Sequence, residues 1–335
     1  MRGFSTPGLW SFLQLSKRGF STAAAEKVDK TLLSKLRKQT GIPFINCKKA
    51  LAKFDNDFDQ AKKWLLEEAQ KEGWARATKL QARPMSQGLV AIFGDSKQAT
   101  LIEVNCETDF VARNEKFIAM VTKLVHDCSA HFEKFNEKMI SLKKAELDQI
   151  IGSDQTKLAD FVALNIGNIG ENMSLRRGSF LRADSGSVLS SYVHPSGANK
   201  SPKSLMFGKY GAIVEMKQKN KDDEPVLSLT DLGSHLCQHI VGMNPRIIGD
   251  YVPKEPNPQG ANVTEKEDSG YSSDGSSDTE ISSQNEDNDE DKLLQQDFLL
   301  DNSMTVGELL SLNGVEVSHF LRYACGEELE GETEV

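Results

Sequence analysis

The four residues Thr108-Asp109-Phe110-Val111 set a hydroxyl, a carboxylate and a bulky aromatic side by side, just after an apolar run with strand alternation at residues 100–104. They precede a segment of helical periodicity that opens at Asn114, a good N-cap type, and carries Phe117, Ile118, Val121, Leu124, Val125 and Cys128. The four therefore fall on a strand-to-helix connection. Such connections run on the surface, where an aromatic beside a carboxylate suits contact with another molecule. Two readings stay open on spacing alone: Phe110 is a contact residue, or it is the first core residue of the helix with Asp109 as a turn or cap. Covalent chemistry has less to work with. Gly208-Lys209-Tyr210 lacks the upstream glycine and the hydroxyl of a phosphate-binding loop. No serine or cysteine sits in a nucleophile elbow, and no carboxylate pair has a marked context. His126, Cys128 and His131, and again His235, Cys237 and His239, have spacings that can hold zinc on a helix. His235 and His239, however, flank an apolar stripe with no third ligand nearby, so no metal site and no cofactor is predicted. His194 ends a predicted strand before Pro195-Ser196-Gly197 and by itself reads as a surface histidine.

The elements that must position these residues read as an α+β chain. Three short helices are legible in residues 26–74: one with Leu32, Leu33 and Leu36 that stops at Gly41, one from about Asn46, and one from about Asp57 carrying Phe58, Ala61, Trp64 and Leu65. They make a small bundle of the ubiquitin-associated type, a common docking module, in which Phe44 and Ile45 either contact a partner or merely pack. Residues 75–86 read as a linker. A strand-strand-helix pattern then occurs twice, predicting a duplicated α+β core of antiparallel sheets with helices on one face, divided as residues 87–168 and 169–251. Residues 132–168 read as mostly helical, and residues 174–181 as a further strand. A C-terminal helix-strand module at residues 293–335 follows, with a Thr305-to-Glu308 capping box, an apolar helix face of Val306, Leu309 and Leu310, and alternation over residues 317–323.

Charge is concentrated. Residues 254–291 hold twelve acidic side chains against two lysines, a charge of −10, which leaves +1 of the total −9 for the rest of the 335 residues. The folded part is close to neutral, and a nucleic-acid footprint is not indicated. Residues 252–292 are rich in Pro, Ser, Gly and acid, cannot offset ordering entropy by burial, and are predicted to be a disordered insert. Residues 1–25 contain Arg2, Lys17 and Arg18, many Ser and Thr and no acid, which is the composition of a mitochondrial transit peptide. No stretch approaches the roughly 18–20 apolar residues of a membrane span, so no membrane partner is predicted. Five scattered cysteines without a CxxC pair fit buried free thiols in a reducing compartment.

The string at residues 103–112, Glu-Val-Asn-Cys-Glu-Thr-Asp-Phe-Val-Ala, resembles the signature of the translation elongation factor Ts family. Residues 36–51, Ile169-Gly170-Glu171-Asn172 with Arg176-Arg177, Ser191-Tyr192-Val193-His194, and residues 305–310 resemble the family too, in the expected order. The resemblance implies a guanine nucleotide exchange factor, not an enzyme in the covalent sense, that acts on the GTPase elongation factor Tu of the mitochondrial matrix during translation elongation. It implies that Thr108, Asp109, Phe110 and Val111 form the exchange loop, with Phe110 as a wedge that leads to loss of the partner's Mg2+. It also implies partner contacts at Phe44, Ile45, Asn105, His194, Val306 and Leu309. Bacterial members carry a long helical hairpin near the position of the acidic insert, and no sustained heptads occur there in this chain. A different class of function, a non-catalytic adaptor docking partners through the N-terminal bundle, is the alternative.

Overall fold

A computed structural model describes residues 28–195, 205–219, 226–251 and 289–329. The expected targeting segment and the expected acidic insert as far as residue 288 lie outside them. The chain divides into two compact units at Ala69/Gln70.

In the first unit, α1 (Lys30–Thr40) starts where Asp29 accepts from the amides of Thr31 and Leu32, and it stops at Gly41, whose φ of 68° is left-handed. Helix α2 (Phe44–Lys53) follows Pro43, and α3 (Phe58–Leu80), whose residues from Gln70 on belong to the second unit, is capped by Asp57, which accepts from the Gln60 amide at 2.9 Å. Leu33, Leu36, Ile42, Cys47, Leu51, Ala61 and Leu65 form their common core. This is the expected bundle. The expected linker is different: α3 continues to Leu80, because Ala75-Arg76-Ala77-Thr78-Lys79-Leu80 contains neither glycine nor proline to stop it.

The second unit adds, in chain order, β1 (Gln87–Gly94), β2 (Gln98–Cys106), α4 (Asp109–Ala112), α5 (Glu115–Phe132), β3 (Met139–Lys143), α6 (Lys144–Leu147), α7 (Leu158–Ile169), β4 (Met173–Arg182), β5 (Ser187–His194), β6 (Leu205–Gly208), β7 (Tyr210–Gln218), α8 (Leu229–Met243), β8 (Asp297–Phe298), β9 (Asp301–Thr305), α9 (Val306–Leu312) and β10 (Val315–Ala324). Strands β3-β4-β2-β1-β6 form one antiparallel sheet and β10-β7-β5 another, with β8-β9 as a small ribbon. The period-2 alternation of the strands sorts their side chains into three cores. Ile102, Val104 and Phe180 face α5 and α7; Val90, Ile92, Leu101, Leu189, Val193 and Ile213 meet between the two sheets; Ala212, Val214 and Met216 face α8 and α9. The result is helix, sheet, sheet, helix.

The α+β class, the antiparallel sheets and the C-terminal strand module are as expected. The division at residue 169 is not where the structure divides: β4 lies in the middle of the first sheet between β2 and β3, β6 extends that sheet past β1, and β10 completes the second. The periodicity of a strand does not name its neighbours. Strand β3, in a region expected to be helical, is a five-residue edge strand of Met, Ile, Ser, Leu and Lys, too short to show a period against its surroundings. Residues 289–292, expected within the insert, are built into the C-terminal module: Asp289–Asp291 forms a 3-10 turn whose Asp291 carbonyl accepts from the amides of Arg246 and Ile247.

Candidate functional site

Strand β2 ends at Cys106, whose thiol donates to the Thr108 carbonyl at 3.2 Å. Burial, with Glu171 nearby, pushes that thiol up to about 12, so it stays protonated and acts as a donor. Thr108 then takes extended backbone angles and N-caps α4, its hydroxyl oxygen accepting from the Val111 amide at 3.4 Å. After one helical turn the chain caps a second time at Asn114, which accepts from the Lys116 amide at 2.8 Å and starts α5. Two caps six residues apart thus isolate a single turn at the surface.

That turn has two faces. Val111 and Ala112 sink into the core beneath α5. Phe110 points out with 82 % of its surface exposed, more than any other large apolar residue among the described residues. Asp109 stands beside it, paired with Arg113 at 3.1 Å on the solvent side. The reading of Phe110 as the first core residue of the helix is therefore excluded, because the core position of the turn is filled by Val111.

The turn is held from behind by residues distant in sequence. Glu171, immediately after the left-handed Gly170 that ends α7, accepts from the Thr108 hydroxyl at 2.8 Å and from the Thr108 amide at 3.2 Å. In return Glu107 accepts from the Asn172 amide at 2.7 Å and from the Arg83 guanidinium at 3.1 Å. Asn172 adds a side-chain bond to the Arg83 carbonyl at 3.3 Å. Each segment's carboxylate caps the other segment's backbone. In the sequence Glu171 stands out only as part of a motif; its role shows only when residues 63 apart in sequence are brought together.

The remaining site residues fall into two groups. Phe44 and Ile45 open α2 with 49 % and 66 % exposure, outside the core of the first unit, and His194 is exposed at the end of β5 with its Nδ1 3.1 Å from the Tyr192 hydroxyl. Asn105, Val306 and Leu309, expected at a partner surface, are interior in this chain. The Asn105 side chain donates to Glu103 at 2.9 Å inside the protein, because it shares the inward face of β2 with that carboxylate. Val306 and Leu309 are the apolar face with which α9 closes the second sheet's core. The exposed large apolar residue of that helix is Leu312.

The histidine clusters are occupied otherwise. His126 lies edge-on to Phe93 with ring centres 4.2 Å apart while Cys128 is buried. His239 is buried between two bonds: its Nδ1 accepts from the Leu299 amide and its Nε2 donates to the Gln296 side-chain Oε1 at 2.8 Å. Cys237 donates to the Ser190 carbonyl. Among the described residues no group of three or more His, Cys, Asp or Glu side chains converges as metal ligands do. Among the same residues no helix is long and apolar enough to cross a membrane.

Comparison with known proteins follows the same line. The family model for "Elongation factor TS" matches residues 107–327, and one for the N-terminal part of mitochondrial elongation factor Ts matches residues 17–75. The chain is 42 % identical to a Branchiostoma floridae protein over 312 residues, covering 90 % of this chain and 91 % of that one; it is 38 % identical to a Xenopus laevis protein over 333 residues, covering 96 % and 93 %. A human protein is 37 % identical over 319 residues, covering 93 % of this chain and 88 % of its own. All three carry the name "Elongation factor Ts, mitochondrial". With the matches spanning nearly the whole sequence, the chain belongs to the elongation factor Ts family in its mitochondrial form and is a translation elongation factor.

Proposed function

We propose that this protein is the guanine nucleotide exchange factor of mitochondrial elongation factor Tu, and that the turn at residues 108–111 drives GDP release in the matrix. The observation that carries this reading is Phe110: a phenyl ring held in water on a capped, braced turn. Burying such a ring in a slot of the partner is worth about 2–3 kcal/mol, at little entropic cost because the ring has only two torsions.

A GTPase that holds GDP and Mg2+ at nanomolar affinity stores about 12 kcal/mol, so unaided release is slow. A protein that prefers the nucleotide-free partner lowers the partner's affinity for GDP, and GDP lowers the affinity for that protein by the same factor. Phe110 wedges between helices of the nucleotide domain, Asp109 competes for hydrogen bonds there, and the displacement dislodges Mg2+, which supplies much of the charge compensation for the phosphates. Val111 anchors the turn and Thr108 shapes it. Phe44, Ile45 and His194 supply contact surface away from the wedge. No bond is made or broken by this chain, and the metal and nucleotide belong to the partner.

The test is release of fluorescent GDP from mitochondrial elongation factor Tu at fixed Mg2+, with the wild type and with Asp109→Ala/Phe110→Ala. The wild type is expected to accelerate release, and the double variant to bind while losing most of the acceleration. If both accelerate equally, exchange arises elsewhere on the surface. If neither does, and the GTPase is captured only through the first unit, the exposed pair Phe44 and Ile45 supports the adaptor reading instead.

A further inference from the structure

We infer that Glu171 is a positioning residue of the exchange loop, acting through Thr108, and that the crossed pair Glu107 and Glu171 sets the aim of Phe110. This rests on the exchange reading of the loop.

The Thr108 hydroxyl has one hydrogen and must serve two partners. It accepts from the Val111 amide to cap α4, so its hydrogen has to go elsewhere, and Glu171 takes it at 2.8 Å. The carboxylate's other oxygen takes the Thr108 amide. With both donors of Thr108 tied to one rigid acceptor, the residue has a single conformation, and the cap it makes has a single direction. The helix that follows is only one turn long and has little cooperativity of its own, so its orientation comes from the cap and from Val111. Phe110 is two residues from the cap, with no core contact to hold its ring. Gly170 gives Glu171 its approach: its φ of 94° turns the chain sharply out of α7, so that residues 171–172 run beside residues 107–108. The reciprocal bond from the Asn172 amide to Glu107 keeps the two segments in register.

A wedge must arrive pre-aimed to act on the transition state of release, whereas docking is spread over other surfaces. Loosening the brace should therefore lower the maximal rate of release and leave half-saturation almost unchanged. The experiment measures GDP release from mitochondrial elongation factor Tu across concentrations of the full-length protein carrying Glu171→Ala, Glu171→Gln, Thr108→Val, Phe110→Ala or Glu171→Ala with Thr108→Val. Amide hydrogen exchange is read on the same proteins without the partner. Expected are a fall of about tenfold in maximal rate for Glu171→Ala, the size of one hydrogen bond to a charged group, half-saturation within about twofold, and substantial recovery in Glu171→Gln, which keeps one acceptor. The Thr108 and Val111 amides should exchange faster while β2 and β4 stay protected. The double variant should lose less than the product of the two single losses, since both singles remove the hydroxyl–carboxylate bond. If Glu171→Ala does not fold, Thr108→Val removes the hydroxyl bond from the loop side together with the cap of α4, and Glu171→Gln weakens the same bond with the cap left in place.

A wild-type maximal rate in the Glu171 variants overturns the inference; if Phe110→Ala is impaired in that experiment, the exchange reading survives, and if it is not, both fall. Losses that multiply in the double variant, a change confined to half-saturation, or a Gln variant no better than Ala each overturn it as well, because Glu171 would then be a contact or a mere fold residue.

Discussion

Leaving a phenyl ring in water forfeits the burial energy that a folded chain normally collects, and Phe110 sits next to a residue that does collect it. Val111 is in the core and Phe110 is out, so neighbouring truncations should act on different quantities. Phe110→Ala is expected to leave the melting temperature unchanged or slightly raised, while Val111→Ala costs about 2 kcal/mol of stability from two lost buried carbons and the space they leave. Thermal melts of the two variants by circular dichroism check this, and a Phe110→Ala protein that melts well below wild type would place the ring in the fold instead of at its surface. Much of the turn follows from local chemistry that the sequence shows, with Asn114 as a cap and a surface connection at Thr108, and the Thr305 and Glu308 capping box of α9 is legible in the same way. Glu171 was not, because its bonds to Thr108 cross from one element to another. Nor was the burial of Asn105: a polar amide after an apolar strand reads as exposed until Glu103 and Arg177 are found on the same inner face.

At the scale of elements, one contact is decided by the absence of a side chain. Gly73 lies in α3, where alanine normally gains about 1 kcal/mol in helix propensity. A Cβ at that position would stand 2.3 Å from the Ala163 carbonyl oxygen and 2.7 Å from its carbon, both backbone atoms of α7. Backbone cannot swing aside as a side-chain tip can, and overpacking of this kind costs about 1–3 kcal/mol. Gly73→Ala is therefore expected to destabilise, with a melting temperature lower by several degrees; a rise would show that α7 gives way freely. Another element-level bond ties the C-terminal module to the first sheet. Arg177 on β4 donates to Glu103 on β2 at 2.6 Å, to Glu327 beyond β10 at 2.5 Å, and stacks over Tyr323 at 3.8 Å. Arg177→Ala strips a partner from the fully buried Glu103, and about 3 kcal/mol of stability in urea unfolding should go with it. Helix and strand existence was readable from periodicity, whereas the pairing of β4 with β2, or β10 with β7, was not, since alternation says which face is apolar and nothing about which strand lies alongside.

At the scale of the whole molecule, the two sheets share one buried carboxylate, and that fixes part of the pH response. Glu215 on β7 has no exposed side-chain surface and lies against groups from three other segments: the Asp184 amide at 2.7 Å, Lys138 at 2.9 Å, and Ser318 and His319 of β10 at 2.8 and 3.0 Å. Burial alone would raise its pKa, but these donors and the lysine together hold it down to about 2, against 4.5 for an ordinary glutamate. A folded-state pKa below the unfolded one means that the unfolded chain takes up the proton first. The stability is therefore fully present above about pH 4.5 and is lost progressively as pH falls toward 2. For a shift of this size the contribution is on the order of 3 kcal/mol. Glu215→Gln keeps the volume and loses the charge, so the gap in unfolding free energy between wild type and variant should be widest near pH 7 and close as the pH approaches 2. Urea titrations at pH 7, 4 and 3 measure it. A gap that stayed constant through this window would mean that the site holds its glutamate by packing and not by its charge, and the join between the sheets would then have to be credited to the apolar core of Leu101, Leu189 and Ile213 alone.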